Sequence, residues 1–391
     1  MAERNIVVLG AGIAGISVAH YLLRHVIPSL AATSSDTYKV ILVNRSSQAY
    51  WVFGAPRALV NEKNWPMDKS FRPIEEHFHG YPKDSFEFIQ GDAAQLDSGA
   101  RRLVIQATAP SQTSLTIDYQ ALVIATGASA DNALWGLKGD HDFTRAALKD
   151  MHNRLPSANS VVVAGGGPAG TETAGELGSE FGGTKQITLL SGSTHLLPTV
   201  RSDIGQQAET YLQQLQVAVK HQVRVTSAST TPDGKTELAL SNGTTMTTDV
   251  FIDATGLKPN TGFLPSSLLN SRGAVETDPQ SLRVPGAGGG VYAIGSVASY
   301  SNGRIFDVIN AVAPLSGTIE FDLSNGRSGR EKVYKRNEKD TMIVPIGRSK
   351  GVGLAFGWRV PSLVVWALKG RDYMNGNFEA YLDGAQYRKK A

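Results

Sequence analysis

The hydrophobic residues of this chain fall into short, uninterrupted runs that end at a glycine or a polar residue. The first run spans residues 5–10, and a glycine-rich turn and a stretch with apolar residues at helical spacing, 16–24, follow it. A connection over 26–37 leads to a second apolar run at 39–44. Uninterrupted apolar runs are typical of parallel strands that are buried on both faces, so this pattern predicts a β-α-β unit.

The same order of elements recurs in the middle of the chain. A strand-like run at 160–165 leads through a glycine turn into a helical stretch, 171–181, and then into a strand at 186–191. Each of the two units is followed by an apolar run that ends in Ala-Thr-Gly, at 121–127 and at 250–256. This internal repeat predicts a duplicated architecture.

The rest of the chain predicts fewer elements. They are a turn-rich linker at 257–265, a strand at 291–295, a helix at 304–323, a polar boundary at 325–339, a β-rich piece at 342–356 and an apolar, helix-like piece at 361–368. The predicted fold class is therefore α/β, with two Rossmann-like three-layer domains and a small C-terminal α+β domain.

The two glycine turns carry the chemistry. They read Gly10-Ala-Gly12-Ile-Ala-Gly15 and Gly165-Gly-Gly167-Pro168-Ala-Gly170, and both lie between a strand and a helix. In such a motif the first glycine permits a tight turn, the second lets the backbone approach a pyrophosphate, and the third lets helix and strand pack closely. The start of the helix offers free N–H groups to the phosphates, so we expect two dinucleotide sites.

Composition narrows the function further. The 391-residue chain contains no cysteine, which excludes a disulfide framework, a Cys-ligated zinc site, an iron–sulfur cluster and a thiol relay. Lys+Arg number 38 against 35 for Asp+Glu, with no long basic block, so we expect no nucleic-acid partner. The eight histidines form no metal-ligand cluster, and no G-x-S-x-G elbow points to a hydrolase, so we expect no metal site. Two dinucleotide sites without thiols favour FAD in one and NADH or NADPH in the other, with electrons leaving the flavin for an external acceptor.

Several motifs together resemble a known group of flavoproteins. The chain is similar to the pyridine nucleotide-disulfide oxidoreductase superfamily without its redox cysteines, and within it to the branch of apoptosis-inducing factor 2 and ferroptosis suppressor protein. The resemblance implies FAD in the first domain, NAD(P)H in the second, and reduction of a quinone-like acceptor near the C-terminal segment. It lies in residues 10–15, 125–127, 165–176, 254–259, 292–296 and 347–372.

The expected domains follow from the repeat and the resemblance. A discontinuous FAD-binding domain would comprise 1–130 and 257–335, an NAD(P)H-binding domain 131–256, and a C-terminal domain 336–391.

The resemblance also implies site residues. Glu172, just after the second glycine motif, would lie near the nicotinamide and the flavin, and Lys369 would lie near the flavin; both are expected to be catalytic. Arg57 follows an aromatic-rich turn at 50–53, which would form either core or a wall of the flavin pocket with Arg57 facing the cofactor. The expected cofactor-binding residues are Gly10, Gly12, Ala14, Gly15, Asn44, Arg45, Arg57, Ala93, Ala125, Thr126, Gly127, Gly165, Gly167, Pro168, Gly170, Gly295 and Ser296.

Two positions depart from the family pattern, and one choice stays open. Asn44 and Ser296 stand where acidic residues are expected for the adenosine ribose and the flavin ribityl chain, and neutral groups form weaker hydrogen bonds than carboxylates. At the second ribose position, 190–193 holds neither an acidic residue to select NADH nor an arginine to bind a 2′-phosphate. His195 and Arg201 lie further on and could assist NADPH.

The sequence therefore predicts an FAD-dependent NAD(P)H oxidoreductase with a small, quinone-like acceptor. One alternative is a specialised flavoenzyme that acts on a single metabolite of a biosynthetic pathway. Another is a flavin-bearing signalling protein with low turnover. The apolar run at 5–10 leaves no room for a presequence, so we expect a cytoplasmic protein. We expect it to be a monomer or a homodimer. The short apolar stretch at 361–368 leaves peripheral membrane contact open.

Overall fold

The computed structural model describes residues 3–108 and 114–390. The first strands are β1 (Glu3–Leu9), β2 (Thr37–Asn44), β3 (Gln48–Tyr50), β4 (Phe71–Pro73), β5 (Phe86–Asp97), β6 (Arg102–Ala107), β7 (Ser114–Asp118), β8 (Ala121–Ile124) and β9 (Ala128–Ser129). The middle strands are β10 (Ser160–Ala164), β11 (Gln186–Leu190), β12 (Val217–Lys220), β13 (Val225–Thr230), β14 (Thr236–Leu240), β15 (Thr245–Thr248), β16 (Val250–Asp253) and β17 (Lys258–Pro259). The last strands are β18 (Val291–Ala293), β19 (Met342–Ile346), β20 (Lys350–Ala355) and β21 (Trp358–Arg359).

Helices connect most of these strands. The α-helices are α1 (Ile13–Tyr21), α2 (Ile27–Ala31), α3 (Ala55–Ala58), α4 (His141–Arg154), α5 (Pro168–Phe181), α6 (Ser202–Gln214), α7 (Ile305–Leu323), α8 (Ser362–Val365) and α9 (Phe378–Leu382). Two π-helical turns, Leu22–Val26 and Trp366–Gly370, continue α1 and α8.

The first large sheet has the order β18-β8-β1-β2-β5-β6-β7. Its strands from β18 to β5 are parallel, and the edge strands β6 and β7 are antiparallel. The β1 residues 6–9 are fully or almost fully buried, as expected for a strand covered on both faces. Helices α1 and α7 pack against each other on this sheet.

The second sheet repeats the arrangement of the first. Its order is β12-β11-β10-β16, and every pair in it is parallel. In both sheets the strand before a glycine motif (β1 or β10) lies between the next strand along the chain and the strand that leads into Ala-Thr-Gly. The predicted α/β class with two Rossmann-like units is confirmed, and the glycine turns lie at the carboxyl ends of central strands, where α/β sheets bind ligands.

A C-terminal hairpin packs on the second unit. Strands β19, β20 and β21 form an antiparallel sheet whose first two strands contact α5 and α6. The approach is close at Gly175 of α5, where a Cβ would lie 2.6 Å from the backbone nitrogen of Gly347. The hairpin leads into α8 and the second π-helical turn, so this packing places the tail beside the helix of the second glycine motif.

The helix after the first glycine motif is longer than the pattern predicts. A connection is predicted over 26–37, but the helical path continues through the first π-helical turn and ends with α2 at Ala31. Leu22, Val26 and Leu30 are fully buried and carry the apolar face through the turn. Pro28 is the second residue of α2, which directly follows the π-helical turn.

The predicted domain boundaries stay a prediction. The predicted domains also include residues 1–2, 109–113 and 391, which lie outside the described residues. Across the described ranges, no helix is long and apolar enough to cross a membrane.

Candidate functional site

The first glycine turn forms a backbone cradle at the end of β1. Gly10 has φ +97°, a conformation that favours glycine, and a Cβ there would lie 2.5 Å from the carbonyl oxygen of Ala125. A Cβ on Gly15 would lie 1.8 Å from the carbonyl oxygen of Gly10, so this glycine lets the helix approach the strand. Gly12, by contrast, has extended backbone and a Cβ position with nothing within 4 Å. Gly10 and Gly15 thus meet packing demands, whereas Gly12 borders open space.

The second glycine turn repeats this stereochemistry at the end of β10. Gly165 has φ +124°, and a Cβ there would lie 2.6 Å from the carbonyl oxygen of Ala254. A Cβ on Gly170 would lie 1.9 Å from the carbonyl oxygen of Gly165, and one on Gly167 would meet nothing within 4 Å. Pro168 occupies the first turn of α5, where a proline is favoured. Both cradles therefore leave space where a pyrophosphate would approach the first N–H groups of a helix.

Two adjoining cavities of about 370 and 360 Å³ lie along the first cradle. They share Gly10, Asn44, Arg45 and Thr126 among their lining residues. Two cavities that share a wall in this way suit the two halves of a dinucleotide. The expected cofactor residues in one or both linings are Gly10, Gly12, Ala14, Asn44, Arg45, Ala93, Ala125, Thr126, Gly127, Gly295 and Ser296.

The aromatic-rich turn also reaches this space. Tyr50, Trp51, Val52 and Phe53 all line the second of the two cavities. Trp51 is nevertheless almost fully buried, and its Nε1 donates to the carbonyl oxygen of Tyr373 at 2.9 Å. The turn is therefore both core and cavity wall.

Asn44, which stands where the family pattern has a carboxylate, forms hydrogen bonds with two backbone groups. Its Oδ1 accepts a hydrogen bond from the N–H of Ala11 at 3.0 Å, and its Nδ2 donates to the carbonyl oxygen of Ser46 at 2.7 Å. Asn44 thus fixes the glycine turn while one lone pair of Oδ1 and one N–H stay available to a ligand hydroxyl. The Ser296 hydroxyl lines the cavity next to Gly303, and it has no hydrogen-bond partner among the residues that the structure describes.

The second cradle opens into a separate cavity of about 510 Å³ at the ends of β10, β11 and β16. Gly165, Gly192, Ser193, Arg224 and Thr255 are among its lining residues. The two residues that were expected to assist NADPH are outside this lining. His195 Nδ1 lies 2.8 Å from the carbonyl oxygen of Leu196, and Arg201 pairs with Asp203 at 2.7 Å.

Glu172 and Lys369 form a buried ion pair. Lys369 Nζ donates to Glu172 Oε1 at 2.5 Å, with side chains only 13% and 4% exposed for Lys369 and Glu172. Burial raises the pKa of Glu172 from 4.5 to about 7, and Lys369 opposes this shift. The structure therefore brings together the two residues expected to be catalytic, one from the helix of the second cradle and one from the tail. The raised pKa means that the Glu172 carboxyl group can bind or release a proton near neutral pH.

Arg57 lies in a second buried cluster, one helical turn from the first. Its Nε and Nη2 donate to the two carboxylate oxygens of Glu176 at 3.0 and 2.8 Å. Its Nη1 and Nη2 donate to the carbonyl oxygens of Arg371 and Gly370, both at 2.9 Å, and its guanidinium stacks over the Tyr373 ring. The Arg57 guanidinium therefore contacts protein groups, and Arg57 is not among the residues that line the two cavities of the first cradle. Its expected role in cofactor binding stays a prediction.

Sequence reasoning did not single out Glu176, Tyr373 or Arg224. Tyr373 is fully buried, and its hydroxyl donates to Glu176 Oε1 at 3.1 Å. Arg224 lies in the second cavity beside Gly192. The available signal for Glu176 was its spacing of four residues from Glu172, which puts both carboxylates on one face of α5.

The sequence matches one known protein family. Residues 4–314 match the profile of the family described as pyridine nucleotide-disulphide oxidoreductase.

Curated relatives match over almost the whole chain. Oxidoreductase phnG of Penicillium herquei is 37% identical, and the alignment covers 99% of this chain and 98% of that protein. Ferroptosis suppressor protein 1 of Mus musculus is 25% identical, with 95% of this chain and 93% of the relative covered. Both therefore resemble the chain from the first glycine motif to the tail.

Solved structures share the fold. NDH2 from Plasmodium falciparum, solved in complex with RYL-552, superposes with a TM-score of 0.71 at 14% sequence identity and covers 99% of each chain. At this identity the match shows a common architecture, including the C-terminal segment.

Proposed function

Because this chain belongs to the pyridine nucleotide-disulphide oxidoreductase family, we propose that it is an FAD-dependent enzyme that oxidises NADH or NADPH and reduces a small, quinone-like acceptor. Family membership confirms the resemblance seen in the motifs, and FAD with NAD(P)H are the cofactors of this family. The observation that carries the proposal is the duplicated cradle, with open space at Gly12 and again at Gly167.

The first cradle would hold FAD. The N–H groups at the start of α1 have no partners within the helix, so they are free to bind the pyrophosphate. Asn44 and Arg45 would face the adenosine end, and Ser296 the ribityl chain. Arg45 is itself held by Asp92 at 3.0 Å, which fixes its position at the cavity wall.

The second cradle would hold the nicotinamide coenzyme. The N–H groups of α5 would bind its pyrophosphate, and the 510 Å³ cavity would receive its adenosine half. Glu172 lies in the helix that begins at this cradle, so the nicotinamide half would extend along α5 toward the Glu172–Lys369 pair.

When bound, FAD would accept a hydride from the nicotinamide and pass the electrons to the second acceptor. The protein contributes position and protons. With a pKa of about 7, the Glu172 carboxyl group binds or releases a proton near neutral pH, and Lys369 Nζ orients it through Oε1 and supplies positive charge. The cluster of Arg57, Glu176 and Tyr373 holds the π-helical turn of Lys369 against α5.

The surface of the tail favours an apolar acceptor. Trp358 and Leu363 are 81% and 73% exposed, and Phe356, Val364 and Leu368 are exposed as well. These residues belong to the hairpin, to α8 and to the π-helical turn that carries Lys369, and these elements pack together. Exposed apolar side chains in one segment mark a surface that binds apolar partners, and a quinone ring system matches that chemistry.

Rapid mixing without oxygen tests the proposal. FAD-loaded protein is mixed with NADH or NADPH, and the visible flavin absorbance is followed; a water-soluble quinone is then added. We expect fast bleaching by at least one coenzyme and fast recovery of the colour with the quinone. Fast bleaching with slow recovery would instead favour the alternative of one specific metabolite as acceptor. Slow bleaching by both coenzymes, despite bound FAD, would contradict the proposal and favour a low-turnover signalling protein.

A further inference from the structure

The end of β11 is where a dinucleotide fold recognises the adenosine ribose of its ligand. In NADH-selective folds an acidic side chain there binds the 2′-hydroxyl, and it would repel the extra phosphate of NADPH. In this chain the position is occupied by Ser191, Gly192 and Ser193, none of which is acidic. The site therefore lacks the group that would exclude a 2′-phosphate.

A cation from another part of the chain reaches this position. Segment 222–224, between β12 and β13, runs beside 191–193: the N–H of Gln222 donates to the carbonyl oxygen of Ser193 at 3.1 Å, and that of Val223 to Ser191 at 3.0 Å. The Arg224 backbone is fixed as well, because its N–H donates to Ser241 Oγ at 3.0 Å and its carbonyl accepts from the Ser241 N–H at 2.8 Å.

The Arg224 side chain lies directly against Gly192. A Cβ on Gly192 would come within 2.5 Å of Arg224 Nε and 2.8 Å of its Cγ. Only a residue without a side chain therefore leaves this path open to the arginine. Both residues line the cavity of the second cradle, together with Ser193 and Thr226.

The Arg224 guanidinium is available to a ligand. Among residues 3–108 and 114–390, no hydrogen bond or ion pair of its guanidinium is present, and the side chain is exposed. The carboxylate in the same lining, Asp253, ends β16 and accepts from the N–H and Oγ1 of Thr255. Since β16 and β11 lie on opposite sides of β10, Asp253 and the β11 end are two strand spacings apart, roughly 10 Å.

We propose that Arg224 binds the 2′-phosphate of NADPH and makes NADPH the preferred coenzyme, with Gly192 providing the path for its side chain. This inference rests on the proposed function, because it assumes that the second cradle holds a nicotinamide coenzyme. A planar guanidinium forms paired, charge-assisted hydrogen bonds with a phosphate, which suits it to this task.

Calorimetric binding of the oxidised coenzymes tests the inference without turnover. NADP⁺ and NAD⁺ are titrated into the FAD-loaded full chain and into Arg224→Gln. We expect the wild type to bind NADP⁺ about 10–100-fold more tightly than NAD⁺, the range given by one charge-assisted hydrogen bond of about 1.5–3 kcal/mol. Arg224→Gln should lose most of that preference and keep its NAD⁺ affinity within about twofold.

Two further variants sharpen the test. Gly192→Ala keeps the arginine but obstructs its path, so it should also lower NADP⁺ affinity and spare NAD⁺. Arg201→Gln removes an exposed arginine that pairs with Asp203 outside the cavity, and it should change neither affinity.

The outcomes separate this inference from the proposed function. Equal binding of both coenzymes by the wild type, or an equal loss of both in Arg224→Gln, would overturn the role of Arg224 and leave the proposed function standing. Failure of the wild type to bind either coenzyme would overturn both.

Discussion

The clearest prediction separates two glycines of the same turn, Gly12 and Gly15. Gly12→Val should remove FAD without unfolding the protein, because its side chain points into open space and its extended backbone suits any residue. Gly15→Ala should damage the fold itself, because its Cβ would lie 1.8 Å from the carbonyl oxygen of Gly10.

The structure sets the size of both effects. A valine at Gly12 would exclude the pyrophosphate from at least two N–H groups at the start of α1. Each hydrogen bond to a charged group contributes about 1.5–3 kcal/mol, so FAD affinity should fall by about 3–6 kcal/mol, which is a hundredfold or more. The fold should lose about 1 kcal/mol or less, mainly because valine is a poorer residue than glycine before a helix. In Gly15→Ala the strand and the helix must move apart by about 1 Å, and such overpacking costs about 1–3 kcal/mol or more.

Two measurements on purified protein distinguish these outcomes. Bound FAD is quantified from the visible spectrum, and the free energy of unfolding of the FAD-free chain is measured with denaturant. Gly80→Val serves as a matched control, because Gly80 is exposed, has no atom near its Cβ position and lies outside both cavities. A Gly12→Val protein that retains stoichiometric FAD would refute the assignment of the first cradle. Loss of FAD that merely follows general unfolding would refute the reasoning about open space.

Two further predictions concern the buried clusters. Because the pKa of Glu172 is about 7 in the folded chain and 4.5 in a free carboxyl, the wild type should lose stability relative to Glu172→Gln as pH rises from 4.5 to 7, by up to roughly 3 kcal/mol. Denaturant unfolding at pH 5 and pH 7.5 checks this, and an identical pH dependence of both proteins would count against it. Arg57→Ala should cost about 3–5 kcal/mol, because it leaves the Glu176 carboxylate buried without its cation. The double variant Arg57→Met/Glu176→Leu should recover most of that loss, and a cost below 1 kcal/mol for the single variant would show that the pair is not important.

Local patterns sufficed to predict the strands and the cradles. The apolar runs at 5–10 and 160–165 fall in β1 and β10, because a parallel strand buried on both faces needs uninterrupted hydrophobic residues. The glycine spacing likewise predicts a local geometry. The first and third glycines of each motif avoid a clash between a Cβ and a backbone carbonyl oxygen, and the middle glycine leaves space for a ligand. The end of the first helix was predicted less well: a connection was predicted over 26–37, but a π-helical turn continues α1 into α2, which ends at residue 31.

Contacts between distant segments could not be predicted in this way. Arg57 follows an aromatic turn that does line the cavity, yet its guanidinium pairs with Glu176, 119 residues away in sequence. Arg224 reaches Gly192 because the segment after β12 folds beside the end of β11, and no spacing rule within one motif contains that contact. Only the resemblance pointed to Glu172 and Lys369, and the packing of the C-terminal hairpin on α5 shows how they meet.

The central claim is that one cradle holds FAD and the other a nicotinamide coenzyme. It is tested most directly by the stoichiometry of both ligands on the purified wild-type chain, with FAD measured from its visible absorbance and the oxidised coenzyme by calorimetry. The account predicts one FAD and one coenzyme bound to each chain at the same time. A colourless chain that takes up no added FAD, or a coenzyme that binds only by displacing it, would contradict the account.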